Sequence, residues 1–192
     1  MKKADDSTMA KGMIILGPAG SGKTTLGRQA AKELGIAYLD IDDYIWRTDT
    51  TVPYTVMYSR QEKIDHLLAA VNEVGEFVMA GSMNSFHEHF DPMFRLAVYL
   101  TADEVLRMER VHQRELGEFG NRILPGGDMY EEHQKFLTDV GGYEHGAGSC
   151  NREQHELWIS QLTCPVLRLD GGEELTKNLA MIVESYRRNT NE

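Results

Sequence analysis

The sequence of 192 residues predicts a three-layer α/β/α fold built on a five-stranded parallel sheet. Short apolar runs alternate with segments of helical periodicity, which favours a parallel sheet covered by helices on both faces. The first apolar run also passes through a glycine-rich turn directly into a helical pattern. The length suits one such domain and is short for two.

Five apolar runs predict the strands because each is short, rich in branched side chains and bounded by glycine, proline or acidic residues. In chain order, the predicted strands are "MIIL", "IAYLDID", "EFVMAGS", "LAVYLT" and "CPVLRLDGG".

Apolar residues spaced three or four apart predict helices, since this spacing places side chains on one helical face. The first helix begins near Lys23 and ends at Gly35, the second ends at Gly75, and a charged helix runs from about Asp103 to Glu115. The side chains expected to be buried are Leu26, Ala30 and Leu34, then Ile64, Leu67, Leu68, Val71 and Val74, and in the last helix Leu175, Leu179, Ile182, Val183 and Tyr186.

A polar stretch from about 116 to 149 holds eight glycines and interrupts the alternation of strands and helices. This composition predicts a flap or mobile insertion. We therefore expect a disordered leader at 1–11 and a single domain at 12–192, with a lid-like insertion at about 112–150.

Composition narrows the classes of function. The net charge of −10 argues against broad binding to nucleic acid or to anionic membranes. Cys150 and Cys164 are too far apart for a CxxC motif, and no apolar signal segment or membrane span is found in the sequence. These features predict a reduced, cytoplasmic protein.

The segment "GPAGSGKT" at 17–24 fits G-x-x-x-x-G-K-[ST], the phosphate-binding loop, between a predicted strand and a predicted helix. Small residues let backbone N–H groups converge on a phosphate, and the helix adds its positive N-terminal end. Lys23 can reach the β and γ phosphates, and the Thr24 hydroxyl can ligate Mg²⁺. The predicted ATP-binding residues are Gly17, Pro18, Ala19, Gly20, Ser21, Gly22, Lys23, Thr24 and Thr25.

The alternative is a glycine-rich turn that only caps a helix. A chain of this length matches the pattern by chance on the order of once in a hundred sequences, and the match here lies in the strand–helix context that the motif requires. We therefore favour the phosphate loop.

Carboxylates follow the second predicted strand in "LDIDDY". In an extended chain Asp40 and Asp42 share one face, at the sheet edge where ligands bind in open α/β folds. Such a carboxylate can hold a water molecule of the Mg²⁺ shell, or it can orient and deprotonate an attacking hydroxyl. The alternative is ordinary solvated acids, and Asp43 is expected to cap the next helix.

With these motifs, the sequence resembles the small P-loop kinases, such as shikimate kinase, gluconate kinase and adenylate kinase. The resemblance implies a P-loop NTPase fold, ATP and Mg²⁺ as cofactors, and a small-molecule acceptor. The D-x-D of shikimate kinase implies that Asp40 lies near Mg²⁺ and that Asp42 holds the acceptor. Gly81 matches a glycine that approaches the acceptor in shikimate kinase.

The stretch "AVYLTADEVLRMERVHQRE" is similar to the segment of these kinases that carries lid arginines in an R-x-x-x-R pattern, here Arg110 and Arg114. The resemblance implies that both stabilise the transferring phosphoryl group. The alternative is a solvated helix face on which they pair with Glu109 and Glu115. Arg107 is expected at the surface. "VLRLDGG" resembles the loop that contacts adenine.

Two departures from the kinase pattern leave a second hypothesis open. No acid follows the third strand, and the 120–137 segment matches no acceptor-binding signature. We therefore weigh an ATP-dependent phosphotransferase, a small-molecule or nucleotide kinase with a small hydroxylated or phosphorylated acceptor, against a nucleotide-binding regulator or ATPase without an acceptor. A GTPase is disfavoured because N-K-x-D is absent, and an AAA machine because the chain is short and shows no arginine finger or clear sensor segment.

Several weaker signals surround these motifs. His87 and His89 in "HEHF" are spaced for a shared metal but have no convincing third ligand, so a rim that contacts the acceptor or plain surface is preferred. Arg122 and Asp128 could contact a substrate or could carry incidental charge. Trp46, Tyr54 and Tyr58 could contact the acceptor or could simply pack, and packing is preferred.

Overall fold

The computed structural model describes residues 10–146 and 150–190. The predicted leader at 1–11 falls almost entirely outside the described residues, as do positions 147–149 of the predicted insertion. Five strands form one parallel sheet in the order β2-β3-β1-β4-β5, which confirms the predicted fold class. The strands are β1 (Lys11–Leu16), β2 (Ala37–Asp40), β3 (Glu76–Ala80), β4 (Phe94–Thr101) and β5 (Val166–Asp170).

Helices cover both faces of the sheet. Alternate residues of β1 enter two separate apolar clusters, Ile14 and Leu16 on one face and Met13 and Ile15 on the other, as the two-residue period of a strand requires. The helices are α1 (Lys23–Leu34), α2 (Asp42–Ile45), α3 (Arg60–Val74), α4 (Glu104–Phe119), α5 (Tyr130–Gly141), α6 (Arg152–Gln161) and α7 (Leu175–Thr190).

Two residues expected in the core lie at the surface. Val74 is 38% exposed and Leu175 is 40% exposed. Val74 is the last residue of α3 and Leu175 is the first residue of α7. Both helices follow their predicted periodicity, and only the ends of the apolar faces extend beyond the sheet.

The polar stretch from 116 to 146 contains more helix than a glycine-rich flap suggests. α4 continues to Phe119, short 3-10 turns occupy Gly120–Ile123 and Gly142–His145, and α5 lies between them against α4. Among the described residues, no helix combines the length and the apolar character needed to cross a membrane.

Arg107 corrects the expectation of a surface position, because its side chain is fully buried between α4 and the insertion. The guanidinium donates to the carbonyl of Ala102 (3.0 Å) and to that of Val140 (2.9 Å). It also lies over the ring of Tyr143, with 5.3 Å to the centroid. Helical spacing gives no sign that a charged residue turns inward to satisfy carbonyls from a distant segment.

We expect Arg107→Met to lower the free energy of unfolding by about 2–5 kcal/mol, because two buried carbonyls lose their donor. Urea unfolding followed by circular dichroism measures the change. Arg187→Met, on the exposed surface of α7, is the matched control and is expected to change stability by less than about 0.5 kcal/mol. Equal stability of the two variants would contradict the structural role of Arg107.

Candidate nucleotide and acceptor site

The loop between β1 and α1 is held against its neighbours by close backbone contacts. A Cβ on Gly20 would lie 2.4 Å from the carbonyl oxygen of Arg107, and the backbone there has φ +78°. Only glycine fits this position without strain. The loop is therefore shaped by the sheet and by α4.

Two side chains of this loop suit an anion. Ser21 is fully buried, and its Oγ has no hydrogen-bond partner among the described residues. Lys23 Nζ donates to the Pro18 carbonyl (2.7 Å), so its ammonium group lies over the loop at the N-terminus of α1. Burial lowers the pKa of Lys23, and the nearby charge of Asp42 opposes this effect. A phosphate would offer oxygens to both side chains and interact favourably with the helix dipole.

Thr24 and Asp40, the predicted Mg²⁺ residues, lie together. Thr24 Oγ1 donates to Asp40 Oδ2 (3.4 Å), and the Tyr38 hydroxyl donates to the same carboxylate oxygen (2.9 Å). Hydroxyl and carboxylate oxygens are the hard ligands that Mg²⁺ prefers. The pair fits such an ion.

Asp42 lies beside Asp40, but not for the reason that the sequence suggested. β2 ends at Asp40 and α2 begins at Asp42, so the two residues share no strand face. The backbone N–H of Asp42 instead donates to Asp40 Oδ1 (3.4 Å). Asp43 lies within the first turn of α2 and does not cap it, which corrects the expected cap.

The carboxyl group of Asp42 has a raised pKa. Its side chain keeps exposed area, but the surrounding protein desolvates the carboxylate, and the charge of Asp40 adds to the shift. Lys23 and Arg114 act in the opposite direction. Asp42 therefore lies within the electrostatic reach of the phosphate-loop lysine.

Arg110 and Arg114 lie one turn apart on α4 and have different surroundings. The Arg110 guanidinium donates to the carbonyls of Gly171 (3.1 Å) and Gly20 (3.4 Å), so it connects the loop after β5 with the phosphate loop. Arg114 is exposed, with its Nη2 3.7 Å from Glu115 Oε1, and its charge acts on Lys23 and Asp42.

Gly81 follows β3 directly and packs against the residue between the two aspartates. A Cβ on Gly81 would lie 2.7 Å from Ile41 Cβ, and the backbone there has φ +138°. The glycine therefore lets the ends of β2 and β3 approach each other. This packing requirement exists with or without an acceptor.

The segment between α2 and α3 carries the predicted acceptor-side aromatic residues. Trp46 and Tyr54 meet edge to face with centroids 6.1 Å apart, and Tyr54 is 52% exposed. Partial burial and the charge of Glu118 raise the pKa of Tyr54, with Asp42 adding to the effect. Tyr58 instead packs against the ring of His66, at 4.6 Å.

The other weak signals have local partners. Arg122 pairs with Asp128 through two hydrogen bonds (2.9 and 2.7 Å). His87 Nδ1 lies 2.7 Å from Asp91 Oδ2, and its ring stacks on Trp158. Within 10–146 and 150–190, no group of three His, Cys, Asp or Glu side chains is arranged to hold a metal ion.

Comparisons with known proteins identify the family of the chain. A family model described as an AAA domain matches residues 13–119, from β1 to the end of α4. Shikimate kinase 2 of Sodalis glossinidius is 30% identical over 143 residues, which cover 68% of this chain and 79% of that enzyme. The chain belongs to the small P-loop kinases.

Two further proteins resemble this P-loop kinase. The Bacillus subtilis protein YqaC is 32% identical over 163 residues, covering 84% of this chain and 89% of YqaC. The crystal structure of a sugar kinase from Janibacter sp. HTCC2649 superposes with a TM-score of 0.53 at 11% identity, over 93% of this chain and 95% of that one. This second likeness shows the fold alone. The match to the AAA model ends with α4, and the expectation against an AAA machine stays a prediction.

Sequence reasoning missed a group of polar residues in this P-loop kinase. Ser82 directly follows Gly81, and its hydroxyl lies 3.1 Å from Nε2 of His155. Cys150 Sγ lies 3.3 Å from the same nitrogen. The contacts join residues 73 and 5 positions apart, so no motif spacing could reveal them. The only signal was the place of Ser82 immediately beyond β3.

Proposed function

We propose that this P-loop kinase is an ATP-dependent phosphotransferase that moves the γ-phosphate of ATP to a hydroxyl of a small-molecule acceptor. The observation that carries the proposal is the contact of Asp40 with both sides of the site: one carboxylate oxygen accepts from Thr24 of the phosphate loop (3.4 Å), and the other accepts from the backbone N–H of Asp42 (3.4 Å). A phosphate-binding loop and an acceptor-side carboxylate in one neighbourhood are what transfer between two bound substrates needs.

In the proposed reaction, residues 17–25 hold the phosphates of ATP. Thr24 and Asp40 would hold Mg²⁺, which neutralises charge on the phosphate oxygens when bound. Asp42 takes the proton of the acceptor hydroxyl, whose oxygen forms a bond to the γ-phosphorus as the bond to the ADP oxygen breaks. Gly81 brings the backbone after β3 close to the acceptor.

The arginines of α4 would balance the charge of the transferring group. The surroundings favour Arg114 in this role, since Arg110 already donates to two backbone carbonyls. We propose that the insertion at about 112–150 acts as the lid. We also propose the cytoplasm as the location, where the free thiols of Cys150 and Cys164 stay reduced.

The second candidate is a regulator or ATPase without an acceptor, and the end of β3 favours it. Residue 82 is serine, so no acid is present there to help hold a metal ion. Such a protein would bind ATP tightly and turn it over slowly.

A metabolite library screened for acceptor-stimulated ADP release separates the two candidates. We expect the acceptor to raise ADP release at least about tenfold and to carry the ³²P of γ-labelled ATP. A library that contains hydroxylated metabolites and nucleoside monophosphates, and in which no compound stimulates, would favour the regulator.

A further inference from the structure

A neutral polar patch lies at the carboxyl end of β3. We define the Ser82 cluster as Ser82, Asn84, Cys150, Gln154 and His155. The Ser82 hydroxyl donates to Asn84 Oδ1 (3.1 Å), and Asn84 Nδ2 donates to Gln154 Oε1 (3.4 Å). Ser82, Asn84, Cys150 and Gln154 keep accessible surface, and His155 is fully buried beneath them.

Two tyrosines orient the ring of His155. The Tyr143 hydroxyl lies 2.7 Å from His155 Nδ1, and the Tyr99 hydroxyl lies 2.8 Å from that of Tyr143. One direction of donation satisfies every proton: Tyr99 to Tyr143, Tyr143 to Nδ1, and Nε2–H to Ser82. The reverse direction leaves the Tyr99 proton without an acceptor among the described residues, which is costly in a buried site.

The Ser82 cluster lies next to the reaction site assigned above, because Ser82 follows Gly81, which packs against Ile41 between Asp40 and Asp42. β3 lies between β1, which leads to the phosphate loop, and β2, which leads to Asp40. The charge of Lys23 shifts the pKa of both Cys150 and His155. None of these polar groups has a part in the phosphoryl transfer proposed above.

Every member of the Ser82 cluster is uncharged. Burial, with Lys23 adding to it, lowers the pKa of His155 to about 3, and burial raises the pKa of the Cys150 thiol. Serine, asparagine and glutamine complete a set of neutral donors and acceptors.

Basic side chains beside this edge already have partners. Arg60 Nε donates to the carbonyl of Ser85 (2.9 Å) and its Nη2 pairs with Glu88, and Arg152 pairs with Glu144. Arg114 is the cation assigned to the phosphoryl group. Lys23, whose charge reaches Cys150 and His155, is assigned to the phosphates of ATP, so within the described residues an acceptor carboxylate at the Ser82 cluster would have no cation of its own to replace its water.

We infer that the Ser82 cluster binds the acceptor, and that the acceptor presents uncharged hydroxyl or amide groups to it, not a carboxylate or phosphate. The inference rests on the proposed function and names its substrate class as neutral polyhydroxylated compounds. His155 is a positioning residue, because it is buried and reaches the acceptor through Ser82 and Cys150.

Matched pairs of compounds test the substrate class. D-glucitol and D-gluconate differ only at one terminal carbon, as do shikimate and the alcohol made by reducing its carboxyl group. Pairs of this kind are added to the library, and ADP release is measured for each member. We expect the neutral member of the active pair to have a kcat/KM about 100-fold higher, because an unpaired carboxylate is costly to desolvate.

The outcomes separate this inference from the proposed function. Stimulation by an acid member above its neutral partner, or by acidic compounds alone, overturns the inference and leaves a kinase. Absence of stimulation by every compound counts against both.

Variants of the cluster test the residues themselves, with the active neutral compound as probe. Ser82→Ala should raise the KM for that compound about five- to tenfold and leave the KM for ATP unchanged, through loss of one hydrogen bond. Ser85→Ala, exposed on the same loop, is the matched control. An unchanged acceptor KM in Ser82→Ala overturns the assignment.

A pair of substitutions at His155 tests the positioning role. His155→Gln keeps an N–H that can reach Ser82, whereas His155→Leu has none. We expect Leu to reproduce the KM effect of Ser82→Ala and Gln to recover most of the loss. Equal acceptor KM values for the His155→Gln and His155→Leu variants overturn the positioning role. If His155→Leu fails to fold, the acceptor KM of the double variant Ser82→Ala with His155→Gln is compared with that of Ser82→Ala alone. The two values must then be equal, and a further rise in the double variant overturns the positioning role.

Discussion

Lys23→Met is expected to lower the rate of phosphoryl transfer by about 10³-fold. Its ammonium group lies over the phosphate loop, where it is partly buried and desolvation lowers its pKa. The developing negative charge of the γ-phosphate would meet a methyl group in its place. ADP release with the acceptor present, and ³²P transfer in a single turnover, measure the loss.

The control for this substitution lies on the same helix. Lys32→Met, in the last turn of α1, removes an identical charge far from the loop and should leave transfer unchanged. Wild-type transfer by Lys23→Met would remove the lysine from the reaction and with it the basis of the proposed function.

Asp42→Asn is expected to lower kcat by about 10³-fold and to leave ATP binding intact, since a general base contributes in this range. The pH dependence carries a second signature. Transfer needs the ionised carboxylate, and desolvation together with Asp40 raises the pKa of Asp42 above its ordinary 3.8. Activity should therefore fall, as pH decreases, at a higher pH than an ordinary aspartate would give.

Rate profiles from about pH 4 to 9 and ATP titration by calorimetry measure both effects for Asp42→Asn. The acid limb should disappear from the residual activity of this variant. Asp43→Asn alters the neighbouring carboxylate in the first turn of α2 and is expected to keep the wild-type profile. A wild-type kcat for Asp42→Asn would exclude Asp42 as the base.

The fold and the phosphate loop were predictable because local rules determine them. Parallel strands are apolar on both faces, and the motif at 17–24 determines the conformation of its own loop. Val74 and Leu175 were misassigned because helical periodicity does not report where a sheet stops. Asp42 lies near Asp40 through a hydrogen bond at a strand–helix junction, not through the extended chain on which the expectation depended.

The contents of the site were less predictable because they come from distant parts of the chain. Arg107 is buried only because α5 returns to place a carbonyl beside it. Ser82 and His155 meet where α6 contacts the loop that follows β3. Charge at single positions cannot reveal such pairs, since an arginine or a histidine looks the same in sequence whether it faces solvent or a carbonyl.

The burial of Arg107 has a mechanical consequence. Its backbone supports Gly20 from outside the phosphate loop, and its side chain holds the carbonyl of Val140 at the far end of α5. Arg107 thus connects the phosphate loop with the helical insertion. A substitution of Arg107 is therefore expected to disturb the phosphate loop and the helical insertion together.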